Sequence, residues 1–220
     1  MQELIEFKFA GLILQEPMAL ITNWMMSFFC LYAFLQLPKT VSKEVKLWKN
    51  FFLWFAVSTF FGGLGHLFYQ QFGVLGKYPN WITGVLAGFF PGYAMLIYYK
   101  TSSLKKFLKL FLFVKGIVLL FLGVTLQKFI FIAIDGILTY VIYCGIIGYA
   151  LSLKVSSTYR FMYYGVLVCV PSVFIFLFKI NIHRWLNKDD LSHLLMLGCL
   201  FFFYLGVKYR SEDKLITIKD

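Results

Sequence analysis

The sequence predicts an all-α fold, a single membrane-embedded bundle of seven transmembrane helices that takes in residues 1–220. Of the 220 residues, 60% are hydrophobic and 14% are charged, and the mean hydropathy is +0.78. Soluble domains are nearer to half apolar and a quarter charged. About 20 apolar residues cross one bilayer, so the chain has room for roughly seven crossings joined by short loops. The composition therefore excludes a water-soluble globule, and the net charge of +11 does not indicate nucleic-acid binding.

Apolar runs that are broken by charged or turn residues define the seven helices. The start of the chain has two acidic residues and no basic segment ahead of an apolar run, which is not typical of a cleavable signal peptide, so we expect the first helix to remain in the mature protein. In order, the predicted helices are 18–37, 50–72, 81–99, 107–126, 128–153, 161–180 and 190–207.

The third predicted helix carries a stripe of small residues. Gly84, Gly88 and Gly92 recur every four residues and therefore share one helix face. Small residues let a neighbouring membrane helix approach closely. The spacing predicts tight helix packing at this face, and Pro91 predicts a kink beside it.

Basic residues are unevenly divided between the two sets of loops. Those after the odd-numbered helices hold Lys39, Lys43, Lys46, Lys49, Lys100, Lys105, Lys106, Lys109, Lys154, Arg160, Lys208, Arg210, Lys214 and Lys219. The opposite side holds only Lys8, Lys77, Lys128, Lys179, Arg184 and Lys188. Short cytoplasmic loops carry the excess of Lys and Arg. The bias predicts an N-terminus outside, a C-terminus in the cytoplasm, and membrane lipids as the surrounding partners.

Ionisable residues inside the predicted helices are the main functional signal, because a charge at bilayer depth costs several kcal/mol unless it is compensated. Helix direction and a rise of 1.5 Å per residue place most of them at one depth, the outer third of the bundle. Asn23 and Ser58 are neutral companions. The ionisable residues are Glu16, His66, Lys115, Asp135, Asp189, Asp190 and His193.

The last helix suggests a metal site. Asp189 and His193 are four residues apart and share one helix face, as paired ligands in helical zinc sites do. Asp190 could also hydrogen-bond to the His193 imidazole and so orient this ligand towards the metal. His66 would supply a third ligand from another helix. A bound zinc ion would activate a water molecule. Asp135 or Glu16 would then be the catalytic acid or base.

Two short motifs carry a resemblance to known proteins. Asp189-Asp190-Leu191-Ser192-His193 at the start of the seventh helix and a lone His66 late in the second resemble the CREST superfamily of seven-helix membrane proteins, which includes alkaline ceramidases, adiponectin-type receptors and haemolysin-III-like proteins. Asp189 stands where that family has its first histidine, and Gly62 where it has serine. The resemblance implies a zinc-dependent hydrolase of lipid amides or esters. The same stretches are closer still to uncharacterised bacterial seven-helix proteins, which implies a bacterial inner membrane.

Each of these residues also has a structural interpretation. His66 and His193 could hydrogen-bond across helices, and Asp135 could pair with Lys115. Asp189 and Asp190 could cap the last helix, because acidic residues favour a helix N-terminus. The alternative function is therefore a non-enzymatic receptor, sensor or complex subunit with a structural polar cluster. A small-solute transporter is disfavoured, because the inner halves of the helices are apolar apart from Lys115. His183 falls in an outer loop and is expected to be solvated.

Overall fold

The chain is helical over most of its length in the computed structural model, which describes residues 5–39, 42–99 and 103–216, with side chains as far as residue 212. Lys100 and Lys219, and the side chain of Lys214, lie outside the described residues. The α-helices are α1 (Pro17–Gln36), α2 (Lys43–Leu67), α3 (Tyr69–Phe72), α4 (Tyr78–Met95), α5 (Ser103–Leu126), α6 (Ile130–Thr139), α7 (Gly148–Lys154), α8 (Arg160–Leu177) and α9 (Lys188–Ile216). The all-α class is confirmed.

The seven predicted helices all have counterparts, but several bounds differ. The helix predicted from residue 50 begins at Lys43, where the Ser42 hydroxyl accepts a hydrogen bond from the Val45 amide. Serine at this position satisfies a backbone donor that the first helical turn leaves unpaired. α9 likewise continues past Val207 to Ile216. The helices extend beyond their apolar runs. Hydropathy identifies only the part of a helix that can lie in a membrane, whereas capping residues determine where the helix itself begins and ends.

A short β-hairpin precedes the bundle and was not predicted. Strands β1 (Glu6–Phe9) and β2 (Leu12–Gln15) pair antiparallel around Ala10 and Gly11, which both have positive φ. Such a turn matches the right-handed twist of two strands. The hairpin docks on α3, because the Gln71 side-chain amide donates to the Ile13 carbonyl at 2.7 Å.

α2 and α4 run antiparallel along each other. At one end, the Tyr98 hydroxyl just past α4 donates to Glu44 Oε2 at 3.0 Å. Towards the other end, the Ser58 hydroxyl donates to Asn80 Oδ1 at 2.7 Å. Between them, α3 and a 3₁₀ turn over Gly73–Lys77 reverse the chain. The two helices therefore form a hairpin although the chain bends by 83° at the break after α2.

The glycine stripe of α4 packs as predicted. A Cβ on Gly92 would lie 2.7 Å from both methyl groups of Leu112 on α5, so any larger residue would require the Leu112 side chain to shift. α6 continues through a π-helical segment (Tyr140–Ile147) into α7, and these three pieces make one rod from Ile130 to Lys154. The π-helical segment has no signature in the apolar pattern.

The first and last long helices close the bundle. Phe29 of α1 meets Tyr204 of α9 edge to face with ring centroids 6.1 Å apart. At the centre, Trp48 and Phe51 of α2 pack on Phe203 of α9, and all three side chains are buried. This aromatic core joins elements from both halves of the chain, so the described residues form a single bundle.

Among the described residues, five helical rods are long and apolar enough to cross a membrane, namely Pro17–Gln36, Ser103–Leu126, Ile130–Lys154, Ser157–Leu177 and Lys188–Glu212. α2 and the segment Tyr69–Met95 pass the same test only together. Large apolar side chains are exposed on these rods, for example Phe121 on α5 and Ile146 in the π-helical segment. Exposure of this extent is typical of a surface that faces lipid.

Candidate functional site

Polar side chains from three separate helices meet at one end of the bundle. Glu16 begins α1, His66 lies in the last turn of α2, and His193 lies in the second turn of α9. The rings of His66 and His193 meet edge to face with centroids 6.4 Å apart. The convergence expected from helix depth is thus present. We call Glu16, Thr22, Asn23, His66, Asn187, Asp190 and His193 the polar cluster.

Glu16 and His66 form a pair within the cluster. His66 Nδ1 lies 2.7 Å from Glu16 Oε2, and both side chains are largely buried. Asn187 Nδ2 donates to the other carboxylate oxygen at 3.4 Å. Burial raises the pKa of Glu16, but the hydrogen bond and charge of His66, with Lys77 nearby, outweigh burial and hold the pKa below its ordinary value of 4.5. Glu16 is therefore a carboxylate at neutral pH, and it orients the His66 ring.

Glu16 also fits the helix start that its neighbour Pro17 indicates. Its backbone is left-handed, with φ of 50°, and Pro17 occupies the first helical position, where a missing N–H costs nothing. The strained backbone turns the chain from the hairpin into α1 and aims the carboxylate across at α2.

His193 is held by two neutral residues of α1. Its Nδ1 lies 2.9 Å from the Thr22 hydroxyl and 3.4 Å from the Asn23 amide nitrogen. The contacts predicted by the structural interpretation, hydrogen bonds across helices, are thus present for both imidazoles. Thr22 was missed in the sequence, where a Thr-Asn pair inside an otherwise apolar run was the available signal.

The two aspartates at the start of α9 have separate structural partners. Asp190 Oδ2 accepts from the Asn187 amide at 3.0 Å, while Asn187 Oδ1 accepts from the amides of Asp189 and Asp190. This reciprocal arrangement is a capping box. Asp190 reaches His193 only through Thr22, whose hydroxyl lies 3.5 Å from Asp190 Oδ1. The capping interpretation is confirmed for Asp190, and Asn187 is a cluster residue that the sequence analysis missed.

The Asp189 carboxylate pairs with the neighbouring Lys188. Both of its carboxylate oxygens accept from Lys188 Nζ, at 2.7 and 2.8 Å. Among the residues that the structure describes, no three His, Cys, Asp or Glu side chains are arranged to hold a metal ion. As they are placed, His66, Asp189, Asp190 and His193 do not fit a zinc centre. His66 Nδ1 lies against Glu16 and His193 Nδ1 against Thr22, while Asp189 accepts from Lys188 and Asp190 caps α9.

Asp135 lies away from the polar cluster and is paired. Lys115 of α5 donates to the Asp135 carboxylate and to the Thr139 hydroxyl, the latter at 2.7 Å. All three side chains are buried. The structural interpretation, an ion pair between neighbouring helices, is therefore confirmed. Asp135 also lines a cavity that adjoins the polar cluster. His183 is exposed, as expected.

A cavity of about 270 Å³ adjoins the polar cluster. Its walls are apolar side chains of α1, α2, α4, α6, α8 and α9, such as Met26, Val85, Ile132 and Met196. It reaches the outside of the bundle between the α6 rod and α8, where Phe129, Val141, Val170 and Leu177 are exposed. The polar residues on its lining include Asn23, Ser58, Thr59, Asn80, Asp135, Ser172, Asp189, Ser192 and His193.

The amide side chains of Asn23 and Asn80 lie against Gly62, the residue that stands where the CREST resemblance has a serine. A Cβ on Gly62 would lie 2.8 Å from Asn23 Oδ1 and 2.9 Å from Asn80 Nδ2. An added Cβ would therefore force at least one of these amide side chains to shift. Asn80 was also missed in the sequence, where it directly precedes the predicted start of the third helix at residue 81.

The fold and site together define a class, an apolar helical bundle of membrane type with a buried polar cluster beside a laterally open cavity. The chain belongs to a family of unknown function, DUF6962, whose model matches residues 18–212. Comparisons with curated proteins and with solved structures gave no match. The match covers α1 to α9 and begins after the hairpin, so the polar cluster falls within the family region apart from Glu16.

Proposed function

We propose that the chain crosses a cell membrane seven times, with its N-terminus outside. Five rods account for five of these crossings. The antiparallel contacts between α2 and α4 favour counting these two helices as two further crossings, not as one broken span. The division of basic residues supports the orientation. The polar cluster then lies in the outer half of the membrane, at the end of α2 remote from Lys43 and Lys46.

We further propose that the cavity binds an amphiphile, a molecule with an apolar chain and a hydrogen-bonding head. The observation that carries this proposal is the cavity's mostly apolar lining, which includes a small number of polar groups such as His193, Asn23 and Asn80. Sites for small molecules combine mostly apolar lining with a few placed polar groups. An acyl chain would lie between α6 and α8, and its head would reach His193, Asn23 and Asn80. Membrane lipids supply molecules of this form, and the lateral opening supplies an entrance.

Photocrosslinking tests this proposal. A fatty acid or phospholipid with a photoreactive group in its chain is expected to label cavity residues such as Met196 and Ala133 in wild-type membranes. Gly136 lines the cavity with no atom within 4 Å of an added Cβ, so Gly136→Phe fills the cavity without a clash at the helix surface. This variant should lose the cavity label and keep its folded state.

Val118→Phe is the matched control, because Val118 is exposed on α5 and does not line the cavity. It should leave cavity labelling unchanged. Labelling confined to outward-facing residues such as Phe121, or equal labelling of the Gly136→Phe protein at Met196, would contradict amphiphile binding.

A second candidate is the metal-dependent lipid hydrolase that the CREST resemblance implies. The adjacency of the two imidazoles favours it. Zinc binding would require Asp189 to leave Lys188, or another donor to move. Elemental analysis of purified protein tests this candidate: zinc near one equivalent, lost in His66→Ala and His193→Ala, is the expected result. Zinc retained by both variants would refute this site.

A further inference from the structure

All four cysteines of the chain converge towards the interior of the bundle. They are supplied by α1, the π-helical segment, α8 and α9, and they are Cys30, Cys144, Cys169 and Cys199. Tyr140, which begins the π-helical segment, interacts electrostatically with each of them. Their positions in the sequence show no metal-binding spacing, so only the packing of the helices brings these sulfur atoms together.

Two of these cysteines contact each other and a methionine. The Cys169 thiol donates to Met196 Sδ at 3.9 Å, and it also interacts with the Cys199 thiol. Met196 and Cys199 are three residues apart on α9 and therefore share one helix face. We call Cys169, Met196 and Cys199 the sulfur triad. Helical rise places Cys199 about 9 Å beyond His193 along α9, so the triad is separate from the polar cluster.

The spacing within the sulfur triad matches a three-coordinate metal ion. Bonds between sulfur and zinc, a first-row metal of similar size to copper, are about 2.3 Å long. Three sulfur atoms placed trigonally around such an ion are then about 4 Å apart. The 3.9 Å between Cys169 Sγ and Met196 Sδ agrees with this separation. Thiolate and thioether donors together favour Cu(I), whereas zinc in structural protein sites takes four ligands.

The sulfur triad borders the cavity that adjoins the polar cluster, because Cys169 and Met196 both line it. Cys169 is half-buried, whereas Cys199 is buried. Ser172 Oγ lies 3.6 Å from Cys169 Sγ, but the Ser172 hydroxyl donates to the Cys169 carbonyl at 2.6 Å. An ion inside the cavity therefore meets a thiol and a thioether on one wall.

We propose that the sulfur triad binds one Cu(I) ion. The Cys169 thiol loses its proton to the buffer as its sulfur–copper bond forms, and Met196 and Cys199 complete the coordination as a thioether and a thiol. One positive charge enters and one proton leaves, so the site stays neutral, as an apolar interior favours. Copper enters and stays as Cu(I), so no electron is transferred. The proposal does not depend on amphiphile binding.

A competition titration without oxygen tests the proposal. The purified full chain in neutral detergent is titrated against the Cu(I) complex of bathocuproine disulfonate, whose absorbance reports the copper that the protein removes. The wild type is expected to take one equivalent, and X-ray absorption should show sulfur neighbours at about 2.3 Å. Excess Zn²⁺ should not displace this copper, because the triad offers fewer than four ligands. A protein that removes no copper, or that binds it through nitrogen and oxygen, would overturn the proposal.

Met196→Leu tests the thioether with little change in side-chain size. It should weaken Cu(I) binding more than about tenfold, since the loss of a group that only supports a metal ligand already costs that much. Met26→Leu is the matched control, because Met26 lines the same cavity from α1 and does not belong to the triad. Equal losses in the two variants would show that the cavity methionines bind copper without a defined site, against the proposal.

Cysteine variants test the thiols by thermal unfolding. Cu(I) should raise the Tm of the wild type and of Cys144→Ala, and it should not raise the Tm of Cys169→Ala or Cys199→Ala. Cys144 is the matched control for Cys199, since both are buried. The Tm of each variant without copper shows whether it folds. Wild-type affinity in Cys169→Ala, or its loss in a folded Cys144→Ala protein, would refute the site.

Discussion

At Gly62 the backbone of α2 lies directly against two amide side chains. The space in which a Cβ would sit is limited by Asn23 on one side and Asn80 on the other. This contact brings α1, α2 and α4 together at the level of the polar cluster.

Gly62→Ala should therefore destabilise the protein by about 1–3 kcal/mol, the usual cost of overpacking. Thermal unfolding in detergent measures the effect. Gly136→Ala is the control, a helical glycine whose added methyl meets open space, and it should raise stability by up to ~1 kcal/mol. Similar changes in both variants would show that helix propensity, and not the Asn23–Asn80 contact, decides the outcome.

Glu16 gives a pH-dependent prediction. Its pKa in the folded protein is below the ordinary 4.5, so the folded state binds fewer protons than the unfolded state in that range. The carboxylate's contribution to stability is complete above about pH 4.5 and is lost as the pH falls through the folded-state pKa. Unfolding midpoints measured from pH 7 down to pH 3 should fall less steeply for Glu16→Gln than for the wild type.

Glu212→Gln, at an exposed position on α9, is the comparison for this series. It should keep the wild-type slope. A Glu16→Gln protein with an unchanged slope would show that the Glu16–His66 pair does not control acid stability.

The sequence predicted the depth of individual residues better than their partners. Helix direction and rise placed Glu16, His66 and His193 at one level, because these quantities depend only on position along a helix. The contacts of Thr22 and Asn187 depend on how α1 and α9 rotate against each other. That rotation is set by packing over the whole interface, and a linear pattern does not contain it.

Between α5 and α6, the buried ion pair of Lys115 and Asp135 is the main polar connection. Lys115 also donates to Thr139, so one ammonium joins two successive turns of the neighbouring helix. In an apolar interior, a charge left without its partner is far more costly than the pair itself. The pair therefore fixes the relative height of the two helices.

Lys115→Met should destabilise the bundle by about 3–5 kcal/mol, because it leaves Asp135 buried and unpaired. Adding Asp135→Leu should recover most of this loss, since an apolar pair of similar size replaces two charges. A double-mutant cycle from unfolding in detergent measures the coupling. A double variant no more stable than Lys115→Met would contradict an ion pair as the source of the effect.

Elements with a strong hydropathy signal were predictable, and those determined by short-range geometry were not. The β1–β2 hairpin turns on Ala10 and Gly11, and its four-residue strands are too short for a reliable alternation of polar and apolar residues. The π-helical segment could not be predicted either, because a π-helix has about one more residue per turn than an α-helix but needs no change in the hydropathy of the sequence. Both features change the local path of the backbone without changing the apolar composition of the sequence.

For the whole molecule, a common aromatic core holds the two halves of the chain together. Glu44 adds a polar anchor at the basic end: its Oε1 accepts from the Tyr159 hydroxyl at 2.6 Å, and Arg210 Nε lies 3.9 Å from Oε2. The anchor joins the starts of α2 and α8 to the end of α9.

The proposed orientation predicts which positions a membrane-impermeant maleimide reaches in intact cells. Lys8→Cys should react from outside, and Lys46→Cys should react only after the membrane is opened. Both side chains are exposed in the folded chain. Cys30, Cys144 and Cys199 are buried and Cys169 is half-buried, so the wild-type protein serves as the measure of background labelling. Labelling of Lys46→Cys alone in intact cells would contradict the proposed orientation and indicate the opposite one.

The packing of α1 on α9 has a consequence for biosynthesis. Thr22 and His193 are 171 residues apart, and the ribosome makes α9 long after α1 enters the membrane. Until then the polar groups of α1 face lipid or temporary partners, at a cost that only the final helix removes. Truncation before α9 should leave an inserted but unclosed bundle, which quality-control proteases would recognise by those uncovered groups.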